Sequence, residues 1–158
     1  MKITIVYFSG TGNTAFLATA LSKELYSSHN FKTEIRPIEE LIHNSSSSNT
    51  KTSSSEFSNL FQHSIIVLMY PVYGFDAAPP VYDFLKHIGN ADKMGSSPPL
   101  FSIITCPCDP HWVNSAASVG IRRRLKQKGF DFLREDTVVL PSNFVVSYPD
   151  SFNYQLFQ

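Results

Sequence analysis

The sequence predicts a doubly wound α/β domain built on a five-stranded parallel sheet in the order 2-1-3-4-5. Short apolar runs rich in β-branched residues alternate along the chain with segments of helical periodicity, the pattern of parallel strands joined by helical crossovers. The first such run ends in a glycine-rich turn that opens a helix, where doubly wound folds bind ligands. With 158 residues, the chain suffices for one domain and is too short for two of normal size, so residues 1–158 are predicted to be a single domain.

Strands are predicted wherever a short apolar or alternating run stops at turn-forming residues. The run Ser-Ile-Ile-Val-Leu-Met-Tyr is the most apolar of them, which indicates a central strand buried on both faces. In chain order, the predicted strands are residues 3–8, 32–37, 64–70, 100–105 and 137–140.

Helices are predicted between these strands. Residues 79–88 form a helix opened by prolines, and residues 111–128 form a long helix that Gly129 closes as a C-cap. Residues 38–42 begin a short helical turn. Residues 14–28 contain no Pro or Gly, and their apolar side chains keep helical spacing: Phe16, Leu17, Ala20, Leu21 and Leu25.

Two segments depart from this alternation. Residues 44–55 are almost all Ser, Asn and Thr, too polar to bury apolar surface, and are predicted to form a flexible loop. After Leu140, Pro141 and Pro149 interrupt the chain, and no helical pattern follows. A doubly wound sheet normally carries a helix after its fifth strand. The apparent absence of that last helix predicts a truncated chain, or a partner or further domain that covers one face of the sheet.

Composition narrows the partners and the setting. Lys and Arg together number 13, as do Asp and Glu, and such a balance gives no indication of nucleic acid or an anionic membrane as a partner. No segment approaches the length of a membrane span, and the N-terminal apolar run is too short for a secretory signal. Cys106 and Cys108 lie one residue apart, which suits neither a disulfide framework nor a structural zinc site. A reducing, cytoplasmic setting and no bound metal are therefore expected.

The most informative motif is Ser9-Gly10-Thr11-Gly12-Asn13-Thr14, the 9–14 loop, between the first predicted strand and helix. Its glycines allow a tight turn close to a ligand, and its hydroxyls and amide are neutral hydrogen-bond donors. The helix that follows adds backbone N–H groups and the positive end of its dipole. Without Lys or Arg, the loop suits a phosphate monoester; a nucleotide hydrolase would need the Walker lysine, and the dinucleotide pattern a third glycine. A hydroxyl-rich N-cap on an ordinary helix is the alternative.

This block after an N-terminal strand resembles the phosphate-binding loop of flavodoxins, which hold flavin mononucleotide (FMN). The resemblance extends more loosely over nearly the whole chain and implies a flavodoxin-like fold. It also implies phosphate contacts from the side chains of Ser9, Thr11, Asn13 and Thr14 and from backbone N–H groups of the loop, which includes Gly10 and Gly12.

Further ligand contacts are expected at the carboxyl ends of the third and fourth predicted strands. The isoalloxazine ring of a flavin needs flat apolar walls and backbone donors, which Tyr73 and Trp112 can help to provide; ordinary packing is the alternative for both. In flavodoxins, a peptide near a glycine of the first loop can turn toward the flavin N5, and Gly74 is the candidate here. The predicted contacts are Pro71, Val72, Tyr73 and Gly74 in the first loop and Thr105, Cys106, Pro107, Cys108 and Trp112 in the second.

Three other features have open interpretations. Cys106 and Cys108 are either small loop residues beside a cofactor, the simpler view, or a redox-active pair or half of a metal site. His111 is either a proton donor or part of a helix N-cap region. The basic run at residues 122–128 is either a solvated helix face, with its cations near the negative end of the helix dipole, or a docking patch for an acidic redox partner.

The sequence therefore predicts an FMN-binding electron-transfer protein or domain with no catalytic acid, base or nucleophile of its own. Residues 70–74, 79–80 and 140–144 are also similar to flavodoxin-like domains that in anaerobes are often joined to a ferredoxin-type module, which implies redox protein partners, ferredoxin-type or a reductase. The alternatives are an FMN-dependent quinone or NAD(P)H reductase, for which no nicotinamide-binding motif is present, and a flavin-free binding module, which the intact 9–14 loop disfavours. The neutral net charge departs from the strongly acidic character of many free flavodoxins.

Overall fold

A computed structural model describes residues 2–47, 60–61, 64–91, 97–107 and 115–140. A short 3-10 helix, Ser115–Ser118, precedes the α-helix that begins at Val119. The strands are β1 (Lys2–Tyr7), β2 (Lys32–Pro37), β3 (Ser64–Tyr73), β4 (Asp76–Ala77), β5 (Pro99–Cys106) and β6 (Asp131–Val139). The α-helices are α1 (Asn13–His29), α2 (Ile38–Ser47), α3 (Pro79–His87) and α4 (Val119–Gln127).

The five long strands form a parallel sheet in the order β2-β1-β3-β5-β6. This is the predicted 2-1-3-4-5 order, because the two-residue strand β4 only pairs antiparallel with the end of β3. The predicted doubly wound, flavodoxin-like α/β fold is thereby confirmed, with one short strand that the sequence did not reveal.

Helices cover both faces of the sheet and explain the burial of β3. On one face, α2, α3 and α4 enclose the larger core, which includes Leu68, Ile104 and Leu125. On the other face, Ala18 of α1 packs with Ile5 and other residues of β1 and β3. Because its side chains enter both cores, β3 is an uninterrupted apolar run, as predicted for a central strand.

Several boundaries differ from the predictions for physical reasons. Strand β6 begins at Asp131 and not at residue 137, because it is an edge strand whose partly exposed, charged side chains conceal the strand pattern. Helix α2 continues to Ser47, so the first residues of the predicted 44–55 loop are helical; Glu39 and Glu40 in its first turn favour that helix. In the predicted helix 111–128, residues 115–118 form a 3-10 turn and the α-helix starts only at Val119.

Other predictions lie outside the described residues: the remainder of the 44–55 loop, residues 108–114, and the missing last helix, which concerns residues 141–158. In α1, the helix predicted from apolar spacing is confirmed; Leu17, Leu21 and Leu25 pack against the sheet, whereas Phe16 is 72% exposed. Gly129 closes α4 as predicted, with a positive φ and an N–H that donates to Lys126.

Within the described part of the chain, no helix is long and apolar enough to cross a membrane. The same residues contain no group of three or more His, Cys, Asp or Glu side chains placed to hold a metal ion.

Candidate functional site: a neutral cleft at the carboxyl edge of the sheet

The cleft lies where β1, β3, β5 and β6 end, which is the edge at which doubly wound sheets bind ligands. Its volume is about 300 Å³, at the lower end of the range for small-molecule sites. None of the described residues that line it is charged. Its walls consist of Ser9, Gly10, Thr11, Asn13, Thr14, Pro71, Val72, Tyr73, Gly74, Thr105, Cys106, Pro107 and Leu140.

Ser9 organises the 9–14 loop through its hydroxyl. Its Oγ accepts hydrogen bonds from the backbone N–H groups of Gly12, at 3.1 Å, and Ala15, at 3.2 Å. A hydroxyl oxygen has two acceptor positions and one O–H donor, so these two bonds leave the donor available for a third group. The Ser9 hydroxyl can therefore donate a hydrogen bond to an anion in the cleft.

Gly12 joins the loop to helix α1. It is the N-cap residue, with φ +96°, a conformation that a residue with a Cβ adopts only under strain. The carbonyl of Gly12 already accepts the first helical hydrogen bond, from Phe16 N–H at 2.9 Å. This geometry starts the helix directly at the cleft, so its N-terminal N–H groups and its dipole are directed toward a ligand there.

Thr14 connects the loop to the next wall of the cleft. Its Oγ1 lies 2.9 Å from Oγ1 of Thr105, at the end of β5, and both side chains are buried. If Thr105 donates this bond, Thr14 keeps its own O–H for a ligand; if Thr14 donates, Thr105 keeps its hydroxyl hydrogen. In either arrangement, one hydroxyl hydrogen of the pair remains available where both residues line the cleft.

A hairpin forms the opposite wall. Strand β3 folds back onto β4 through Gly74-Phe75, with Tyr73 opposite Asp76, and residues 72–77 are called here the 72–77 hairpin. Both turn residues have positive φ, +57° for Gly74 and +70° for Phe75, which makes this a type I′ turn. Gly74 adopts such a φ readily, whereas Phe75 does so under strain and is 67% exposed.

Contacts with α3 and α4 hold this hairpin. Asp76 Oδ1 accepts hydrogen bonds from Ala77 N–H at 2.7 Å and from the Tyr82 hydroxyl of α3 at 2.5 Å. Burial, together with the neighbouring Asp76 carboxylate, raises the pKa of Tyr82 to about 12. On α4, Gly120 leaves space for that hydroxyl, since a Cβ there would lie 2.7 Å from it, and the Arg124 guanidinium stacks 4.4 Å from the Tyr82 ring centroid.

Tyr73 brings the two walls together. Its ring packs edge-on against Phe8, with centroids 6.1 Å apart. Its hydroxyl lies over the 9–14 loop, where a Cβ on Gly10 would be only 2.0 Å from Tyr73 Oη. Gly10 is therefore needed for close approach, and Tyr73 is placed to flank a planar ligand while it touches the loop.

A partly buried polar network joins β5, β6 and the 3-10 helix. Glu135 of β6 accepts hydrogen bonds from Ser118 at 2.7 Å and from Ser102 at 3.2 Å, and both serines are buried. This network ties the 3-10 helix to the edge strand. The Tyr70 hydroxyl is buried without a hydrogen-bond partner among the described residues, and burial and then the Glu135 charge raise its pKa.

The structure brings nearly all the predicted contacts into one cleft. Of those in the described part of the chain, only Gly12 does not line it, and Cys108 and Trp112 lie outside that part. Cys106 is buried in the cleft wall. Leu140 was not predicted; its N–H donates to the Cys106 carbonyl at 2.9 Å, which extends the β5–β6 pairing to the cleft. Its position after the last predicted strand was the available signal.

No protein-family model matches this sequence, and no curated protein matches it significantly. Solved structures do share its fold. Flavodoxin 1 from Bacillus cereus has 16% sequence identity and a TM-score of 0.60, with 99% of this chain and 92% of that chain covered. Azoreductase from Bacillus anthracis has 9% identity and a TM-score of 0.62, with 89% and 86% covered.

Rubredoxin oxygen:oxidoreductase from Desulfovibrio gigas also resembles this chain, with 15% identity, a TM-score of 0.59 and 98% of this chain covered. This chain spans only 33% of that protein, and 31% of the Flv1 flavodiiron core from Synechocystis. At such identities, the likeness establishes the fold. The chain is thus an α/β domain with a flavodoxin-like fold and a neutral cleft at the ligand-binding edge of its sheet.

Proposed function

We propose that this chain binds FMN in the cleft and acts as an electron-transfer protein or domain. The observation that carries the proposal is the 9–14 loop. The Ser9 hydroxyl accepts hydrogen bonds from two backbone N–H groups, so its own hydrogen is available for an anion. This hydroxyl lies at the start of a helix, and no lysine or arginine is among the described residues that line the cleft. A phosphate monoester bound by many neutral donors fits this chemistry.

The cleft residues fit the two ends of FMN. The 9–14 loop would hold the phosphate through Ser9, Thr11, Asn13, Thr14 and backbone N–H groups. The isoalloxazine ring would lie between the 72–77 hairpin and the end of β5, beside apolar and aromatic groups that exclude water. Among these ring contacts are Pro71, Val72, Tyr73, Gly74, Thr105, Cys106 and Pro107; Cys108 and Trp112 remain predicted contacts.

When bound, FMN supplies the redox chemistry, and the chain positions and shields it. No carboxylate, imidazole or ammonium group lines the described cleft, and the titratable groups among its described lining residues are the Tyr73 hydroxyl and the Cys106 thiol. This favours a carrier that exchanges electrons with redox proteins, as the fold likeness to flavodoxin 1 suggests. The cytoplasmic setting remains a prediction from the cysteine content.

An FMN-dependent reductase is the second candidate, supported by the fold likeness to azoreductase. Such an enzyme would oxidise NADH or NADPH continuously when a quinone or azo acceptor is supplied. A carrier would show no sustained oxidation of reduced nicotinamide without a separate reductase, so this assay distinguishes the two.

The primary test compares FMN with riboflavin, which lacks only the phosphate. Flavin fluorescence quenching on titration should show FMN binding more tightly than riboflavin by about 1.5–3 kcal/mol for each hydrogen bond to the charged phosphate, thus at least about tenfold. Equal affinities would contradict the role of the 9–14 loop, and binding of neither flavin would exclude FMN as the ligand.

A further inference from the structure

We infer that the outer face of α4 is a docking surface for an acidic protein partner. Only the choice of a redox protein as the partner rests on the proposed function. The surface itself consists of Val119, Arg122, Arg123 and Lys126, called here the α4 stripe.

Helical spacing places these four residues on one side of α4. Positions 119, 122, 123 and 126 follow the i, i+3, i+4, i+7 pattern of a single helix face. The opposite side packs into the core through Ile121 and Leu125. Val119, Arg123 and Lys126 are exposed and Arg122 is partly exposed, so the stripe faces outward along about 10 Å of the helix.

The cations of the stripe are not held by internal side-chain bonds, unlike other cations nearby. Arg124 stacks on the Tyr82 ring, and Lys128 Nζ donates to the Ile88 carbonyl at 2.8 Å. No side-chain hydrogen bond or ion pair in the described part of the chain involves Arg122, Arg123 or Lys126, and of the three only Arg122 has an electrostatic effect on a buried group, the Tyr70 hydroxyl.

The neighbouring carboxylates are already engaged elsewhere. Glu135 accepts hydrogen bonds from two buried serines, Asp76 accepts one from Tyr82, and Asp83 pairs with Lys86 at 2.7 Å. Helix α4 itself contains no acidic residue. A chain with no net charge thus concentrates unpaired positive charge on one helix face, and a negatively charged protein surface is its complement.

The stripe begins beside the cleft. In a right-handed crossover, the helix after β5 starts at the carboxyl edge of the sheet, so Val119 lies at the cleft end of α4. Strand β4 packs against the 3-10 helix just before Val119, which places the exposed Phe75 of the 72–77 hairpin nearby. A partner on the stripe would therefore touch apolar side chains near the cleft and positive charges beyond it, the usual composition of a transient interface.

The test measures direct binding of a plant-type [2Fe–2S] ferredoxin, a small acidic protein, by anisotropy of a fluorescent label at low ionic strength. R123E/K126E should weaken binding by about tenfold or more, because two attractive charges become repulsive. K23E/K32E makes the same change of net charge at exposed lysines on α1 and β2, and should weaken binding less than about threefold. The ferredoxin affinity of R123Q/K126Q should lie between those of wild type and R123E/K126E. Circular dichroism should show that each variant is folded.

Three results would overturn the inference: no ferredoxin binding by wild type, equal losses in R123E/K126E and K23E/K32E, or tighter binding to duplex DNA or phosphatidylserine vesicles than to ferredoxin. Binding is measured both with and without added FMN. If the protein binds no flavin, the proposed cofactor is refuted, but the ferredoxin measurement still tests the docking surface. If the flavin-loaded protein binds ferredoxin equally well with and without the charge reversal R123E/K126E, only the docking surface is refuted.

Discussion

The two walls of the cleft are held in different ways. The 9–14 loop is held mainly by its own atoms, since Ser9 Oγ binds N–H groups three and six residues further along the chain. The 72–77 hairpin is held through the bond of Asp76 to the Tyr82 hydroxyl of α3, and that hydroxyl in turn lies against Gly120 of α4, which is distant in the chain. One wall is thus held by bonds within its own segment, whereas the other also depends on helices α3 and α4, which pack beside it.

This difference predicts that the two walls affect the affinities for FMN and riboflavin in different ways. Changes in the 9–14 loop should alter the ratio of FMN to riboflavin affinity, because they act on the phosphate. Changes that loosen the hairpin should alter both affinities by the same factor, because both ligands carry the ring. The affinity ratio therefore tests the comparison independently of overall stability.

The largest effect is expected for Ser9→Ala. The substitution removes a donor to the phosphate and the acceptor for two loop N–H groups, so FMN affinity should fall by about 1.5–3 kcal/mol, or roughly 10–150-fold. Riboflavin affinity should change little. Ser27→Ala, on the exposed surface of α1, is the matched control and should leave both affinities unchanged. Equal losses for FMN and riboflavin would mean that the loop does not act on the phosphate.

Thr14→Val should destabilise the protein by about 1–3 kcal/mol, because it leaves the buried Thr105 hydroxyl without its partner. The double variant T14V/T105V should lose less than the sum of the single losses, since no polar group is then left unpaired. Thr19→Val, on the exposed side of α1, should stay within about 0.5 kcal/mol of wild type. Urea unfolding provides these values, and strict additivity in the double variant would show that the two threonines do not interact.

On the hairpin side, Tyr82→Phe should lower stability by about 1 kcal/mol, since it removes the hydrogen bond to Asp76. The affinities for FMN and riboflavin should fall together, with their ratio unchanged. Tyr26→Phe on α1 is the control, because the Tyr26 side chain is 66% exposed. A loss of FMN affinity without a loss of riboflavin affinity in Tyr82→Phe would contradict the proposed difference between the two walls.

The smallest effect concerns the turn itself. Phe75→Asn should raise stability by about 0.5–1 kcal/mol, because asparagine tolerates the positive φ that strains phenylalanine and little packing is lost from an exposed ring. Phe16→Asn, at an equally exposed helical position, should give no such gain. Thermal unfolding would check both, and a loss of stability in Phe75→Asn would mean that the ring makes contacts that its exposure conceals.

The sequence predicted the sheet order from the strand–helix alternation that defines the fold class, and it predicted the central position of β3 and the residues of the 9–14 loop from local patterns. A strand buried on both faces is apolar throughout. A glycine-rich loop between a strand and a helix is typical of a ligand-binding turn. The predicted strand began only at residue 137, so residues 131–136 of β6 were missed. An edge strand with exposed Arg134 and Asp136 carries no periodic apolar signal. The α2 boundary was misplaced for a related reason, since serine gives no clear helical signal.

The sequence by itself determined the fold class and one wall of the candidate site, since the hydrogen bonds of that wall join residues close together in the chain. Only the tertiary structure decided the other wall. The type I′ turn carries Phe75 where a second small residue is expected, and Tyr82, which anchors the hairpin through Asp76, packs against Gly120 of the distant helix α4. The same applies to the Thr14–Thr105 bond and to the α4 stripe. Whether a side chain is paired or unpaired depends on which elements pack around it, and that is a property of the folded chain.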